Sequence, residues 1–186
     1  MTGDHVQAAL WAVVDFLDNL GIPYALMGAL VLGFYGEGRA TRDVDLLIDA
    51  DGETLRRIRQ LAVNQNMIVD DAWSGQNPGL QHTHLRLIHS GVPVDIMAPR
   101  DDHDRSACLR RRIVHAGDRP VWVVSPEDFI LQKLKAGRAH DFDDVIPFFV
   151  QHRDSLDHGL LNRWAVHLGV REELDYLWSQ SEKPLG

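Results

Sequence analysis

Apolar positions recur at Leu10, Val13, Val14 and Leu17 within Val6 to Leu20, the stripe of one helix face, and Gly21-Ile22-Pro23 ends it. The short apolar run Tyr24 to Met27 predicts a strand, Ala29 to Tyr35 a short apolar helix, and Val44 to Ile48 a buried strand. Glu53 to Val63 is amphipathic, with Leu55, Ile58, Leu61 and Ala62 on one face and Asp51 placed to cap it. The period then changes to two. His84 to Ile88 alternates polar and apolar, and Val92 to Met97 follows the turn Ser90-Gly91, which predicts a hairpin. Trp73 to Gly79, just before it, is polar and carries Gly and Pro, so it is expected to be a loop.

Ile113 to Val124 holds two strand-like runs around Gly117-Asp118. Ser125-Pro126-Glu127-Asp128 is a helix start: Ser caps, Pro fits the first position, and the acids complement the helix dipole. Helical patterning then runs to Ser179, with breaks near Gly137, Asp154 and Gly169. The expectation is an α/β (α+β) fold: a mixed sheet flanked by helices over residues 1–124, with a helical part, 125–186, packed on it as one unit.

Composition changes this picture little. The 186 residues are 45% hydrophobic and 25% charged, ordinary for a globular chain, and no apolar run nears the ~20 residues that span a bilayer. A single cysteine, Cys108, forbids an internal disulfide, and with no signal-like start this leads to the expectation of a cytoplasmic protein. A net charge of −8 disfavours non-specific nucleic-acid binding. Arg100, Arg105, Arg110, Arg111 and Arg112 form a local basic run, read as a solvated face paired with Asp101, Asp102 and Asp104 in preference to a phosphate patch.

The chemistry concentrates at Asp43-Val44-Asp45. In a strand the two acids share a face about 7 Å apart and repel each other unless a cation lies between them. Val92-Pro93-Val94-Asp95-Ile96-Met97 places a third acid in an apolar run, where a lone carboxylate is costly. If the two strands are neighbours, three carboxylates can hold Mg2+ or Mn2+, two ions ~3.5–4 Å apart being the arrangement for in-line nucleotidyl transfer. An Asp-x-Asp by itself also occurs in turns, at strand ends and in sugar-nucleotide glycosyltransferases. Upstream, Gly28-Ala29 at a strand end opens the short helix, a natural place for phosphate, and Arg39 and Thr41 lie just before the acids.

Taken in order, these motifs resemble the DNA polymerase β-like nucleotidyltransferase superfamily, and Gly38 to Asp45 looks like its branch of AbiEii-type toxins and related bacterial proteins. Ser125 to Arg138 and Ala139 to Val145 are similar to later helices of that branch. The resemblance covers roughly residues 21 to 150. It implies catalytic, metal-binding Asp43, Asp45 and Asp95, nucleotide contacts at Gly28, Ala29, Arg39 and Thr41, and Lys133 on the triphosphate. It departs from the family at Ala29, where Gly or Ser is usual, and at His140, where Lys or Arg is common. Arg138 and Asp141 also match family positions and read equally as a salt bridge between helices.

The implied activity moves an NMP from an NTP to a hydroxyl on an RNA end, a protein or a small molecule. The alternative is a catalytically silent binding module of a toxin–antitoxin pair, with an antitoxin as protein partner. His82 and His84 alternate as zinc ligands would, but lack a third ligand at a convincing spacing. Trp73 is a candidate to stack on a base, and Trp11, Trp164 and Trp178 are expected in helical cores or rims.

Overall fold

The computed structural model describes residues 2–181, so the last five residues of the expected helical part lie outside the described residues. The described chain divides into two compact units at Val124 and Ser125.

The first unit is built on a seven-stranded mixed sheet. Its strands are β1 (Tyr24–Met27), β2 (Val44–Ile48), β3 (Ile68–Val69), β4 (His84–His89), β5 (Val92–Met97), β6 (Arg112–Ala116) and β7 (Arg119–Val123), in the order β3-β4-β5-β2-β1-β7-β6. The helices of this unit are α1 (Thr2–Asn19), α2 (Leu30–Phe34), α3 (Gly52–Ala62), α4 (Asp71–Gln76) and α5 (Asp102–Leu109). β1 and β2 are antiparallel, whereas β2 and β5 are parallel. A parallel pair needs a long crossover, and α3, α4 and the β4 strand fill the chain between them.

β2 sits at the centre of the sheet because it is apolar on both faces: Val44, Leu46, Leu47 and Ile48 are all buried. Leu47 shares the face of Asp45, and there it packs with Ala107 and Cys108 of α5 and with Met27. Hydrophobic packing thus ends one residue pair away from the acids. Burial among these groups pushes the Cys108 thiol up to about 11, against the opposing pull of Arg111.

Two elements differ from expectation. Trp73 to Gly79 is not a plain loop: most of it belongs to α4, whose cap Asp70 accepts the Trp73 N–H at 2.9 Å, followed by a 3-10 turn at Pro78–Leu80. A helix of six residues containing a glycine carries too few periodic positions to be recognised in sequence. The basic run is partly helical, and Arg100 pairs with Asp104 at 3.4 Å and Arg105 with Asp102 at 3.6 Å, as expected. Arg111 instead lies over the Trp122 ring at 4.8 Å and donates to the Cys108 carbonyl at 2.8 Å.

The second unit contains α6 (Pro126–Ala136), α7 (Ala139–His152), α8 (His158–Leu168) and α9 (Arg171–Ser181). Ser125 caps α6 as expected, accepting from Asp128 N at 3.1 Å. Gly137 ends it at φ +65 with its N–H on the Lys133 carbonyl. Phe129 against Phe148 and Phe149 against Trp178 form the aromatic part of its core. No helix among the described residues is long and apolar enough to cross a membrane.

Candidate active site

The register of the sheet brings two of the three expected acids side by side. In the parallel β2–β5 pair, Asp45 is the partner of Asp95. Asp43, two residues before Asp45 and just outside β2, accepts a 2.5 Å hydrogen bond from Thr41 Oγ1. On the other side of β2, antiparallel β1 sets Met27 opposite Asp45, so Gly28 follows directly onto the acid.

Gly28 takes a left-handed φ of +68. A Cβ at this position would overlap Asp45 Oδ2 and stand 3.0 Å from its Cγ. The glycine is therefore required twice over, by its backbone angle and by the carboxylate seated on it. Ala29 follows in α-helical conformation as the residue before α2, without a side-chain cap. The exposed Arg39 donates to the carbonyl of Ala40 at 3.2 Å.

Asp95 is 4% exposed and does not stand alone. Across the antiparallel β4–β5 pair its partner is Arg86, whose Nε donates to Oδ1 at 2.7 Å and whose Nη2 donates to Oδ2 at 2.6 Å. His84 Nε2 lies 3.1 Å from Oδ1. Trp73 covers both bases: its ring is 4.6 Å from the Arg86 guanidinium carbon and 4.5 Å from the His84 ring. Burial pushes the Asp95 carboxyl up, but the hydrogen bonds and charges of Arg86 and His84 outweigh it and hold the acid below its ordinary range. Arg86 is raised in turn, first by its hydrogen bond to Asp95, with Asp43 adding a smaller attraction.

Arg86 was not singled out in the sequence, although its position in the alternating His84-Leu85-Arg86 run places it on one strand face with His84. His84 serves Asp95 here, and Trp73 has protein partners in the place expected for a base.

Asp43 and Asp45, half-buried acids at the start of β2, offer hard oxygen donors that suit a divalent cation such as Mg2+. Asp95 differs because both its oxygens already accept from protein donors. The described acids and imidazole whose ligand atoms all lie within 4.8 Å of one another are elsewhere, at Asp101, His103 and Asp104. There Asp101 caps α5 through Asp104 N at 2.9 Å, and Asp104 accepts from Arg100 N at 3.0 Å.

Lys133 lies in the second unit, nearly buried, with its amine donating to Asp141 Oδ1 at 2.9 Å and Asp144 Oδ2 at 2.7 Å. Arg138 also donates to Asp141, at 2.7 Å, so the α6–α7 corner is tied by two cations and two acids. Burial raises the Asp141 carboxyl, and the donors Arg138 and Lys133 bring it below its ordinary range.

Two measurements follow from this geometry. Gly28→Ala forces a left-handed alanine against Asp45, and its φ alone should cost about 1–2 kcal/mol in urea unfolding. For Asp95, the folded pKa lies below the unbound value of 3.8, so its network stabilises the fold above that pH and the contribution is lost as pH falls through the folded value. Stability should decline on acidification below about pH 4. Asp95→Asn should flatten that decline, and an unchanged acid profile would count against the pairing.

No protein-family model and no curated protein matches the chain. Solved structures do. An antigenic nucleotidyltransferase-like protein from Paracoccidioides brasiliensis is 22% identical over 98% of this chain and 96% of its own, with a TM-score of 0.50. A candidate nucleotidyltransferase from Thermotoga maritima is 17% identical, over 81% of this chain and 96% of its own, at 0.55. ANT(2″)-Ia in complex with adenylyl-2″-tobramycin is 16% identical, over 92% and 94%, at 0.51. At these identities the likeness is one of fold, and the chain has the α/β fold of nucleotidyltransferases.

Proposed function

We propose that this chain is a divalent-metal-dependent nucleotidyltransferase whose acidic centre is Asp43, Asp45 and Asp95. The observation that carries the reading is the in-register pairing of Asp45 with Asp95, with Gly28 closing directly over Asp45. Paired acids in an apolar sheet destabilise a fold unless they serve a cationic partner or ligand. The nucleotidyltransferase fold of the neighbours is consistent with that use.

In this reading the acceptor hydroxyl oxygen bonds to the α-phosphorus of an NTP as its proton passes to water, the α–β phosphoanhydride bond breaks, and pyrophosphate leaves. Mg2+ or Mn2+, when bound, supplies the positive charge that such a transfer needs at the phosphoryl oxygens. Asp43 and Asp45 hold it, with Thr41 fixing the Asp43 carboxylate. Gly28 and Ala29 bring backbone close to phosphate, and Arg39 contributes charge from the exposed segment before the acids.

The acceptor is a hydroxyl, and the adenylylated tobramycin in ANT(2″)-Ia supports a small molecule alongside an RNA end or a protein. The Gly38 to Asp45 run adds the narrower proposal of an AbiEii-type toxin acting in the cytoplasm with a protein antitoxin.

The test is incubation with each of four labelled NTPs, Mg2+ and candidate acceptors. Asp45→Asn keeps side-chain size and removes a charge that acts on the transition state, so transfer should fall about 10²- to 10³-fold or more while the fold persists. Transfer undiminished in that variant would overturn the reading. Lys133 enters the proposal as the triphosphate contact that the resemblance implies, although two of its three amine donors already go to Asp141 and Asp144. A charge-assisted contact is worth ~1.5–3 kcal/mol, so Lys133→Ala should lower kcat/KM for NTP by ~10- to 150-fold, mainly through KM. A lower melting temperature with unchanged KM would restrict Lys133 to tying α6 to α7.

A further inference from the structure

Asp95 sits in a different electrostatic setting from the acids beside it. It is buried, whereas Asp43 and Asp45 are half-buried. Both of its oxygens accept from the Arg86 fork at 2.6 and 2.7 Å, and one also faces His84 at 3.1 Å. The fork is fixed from two directions. Cross-strand register aligns Arg86 with Asp95, and the Trp73 ring lies 4.6 Å from the guanidinium carbon.

A guanidinium keeps its charge at any pH a protein survives, and bidentate pairing with a carboxylate is among the stronger polar contacts available. A divalent ion reaching Asp95 would have to break that pair and then sit beside a fixed positive charge. Asp43, by contrast, takes a neutral hydroxyl from Thr41.

We infer that Arg86 is the resident cation of the acidic centre: its guanidinium takes the place on Asp95 that a second divalent ion would otherwise occupy. The chain then binds a single divalent ion, through Asp43 and Asp45, and Arg86 is the positioning residue that sets this number. The inference rests on the proposed metal role of this centre and departs from a pair of ions shared by three acids.

The experiment is Mn2+ binding to the full chain, counted by the electron paramagnetic resonance signal of the free ion, with Mn2+ alone as the probe. The expected result is one ion per chain, lost in Asp45→Asn. Arg86→Gln, which removes the charge and frees Asp95, should bind a second ion. Arg86→Lys keeps the charge and should retain the single-ion count. Two ions in the wild type, or one in folded Arg86→Gln, would overturn the inference while leaving the metal site itself in place. Absence of any ion sensitive to Asp45→Asn would overturn the metal reading and the inference together. Should Arg86→Gln fail to fold, the wild-type and Arg86→Lys counts decide, because two ions in either is incompatible with a resident guanidinium.

Discussion

Negative charge gathered at the middle of a buried sheet has to be compensated, and the architecture of the first unit is arranged around that requirement. β2 and β5 are neighbours because each is largely apolar, yet their parallel register sets Asp45 beside Asp95. Asp95 is held by a guanidinium from the next strand. Asp43 is held by a threonine hydroxyl, and Asp45 is seated on a glycine that leaves room for nothing larger. Each solution depends on an element whose own formation has little to do with charge: the β4–β5 hairpin, the strand entry at Thr41, and the turn after β1.

The same physics recurs in the second unit at smaller scale. Lys133 is nearly buried, and a buried amine is tolerated because Asp141 and Asp144 accept from it. Asp141 in turn accepts from Arg138. An ion network of this kind ties helices in a definite register, which explains its placement at the α6–α7 corner. It also means that any phosphate contact by Lys133 draws on a cation that already has anionic partners.

Around Asp95, aromatic and charged groups are interleaved. Trp73 comes from α4, His84 and Arg86 from β4, and Asp95 from β5. The indole packs beside the Arg86 guanidinium and the His84 ring, where a cation over an aromatic face is favourable. A short helix carrying a tryptophan thereby packs against the two bases that hold Asp95.

Much of this was legible in the sequence because it is local. The bounds of β1 and β2, the Asp51 and Ser125 caps and the hairpin turn at Ser90-Gly91 follow from periodicity and capping chemistry, which act over a few residues. The α4 helix was missed because six residues hold too little periodicity. The neighbours of each acid were decided only by tertiary structure. That Asp95 lies beside Asp45 depends on a parallel crossover of some forty residues, and that Arg86 meets Asp95 depends on hairpin register. Sequence spacing cannot encode which strands become adjacent, because adjacency is set by the burial of apolar faces over the whole sheet. The charge that Asp95 carries, and the partner that holds it there, were therefore settled by packing.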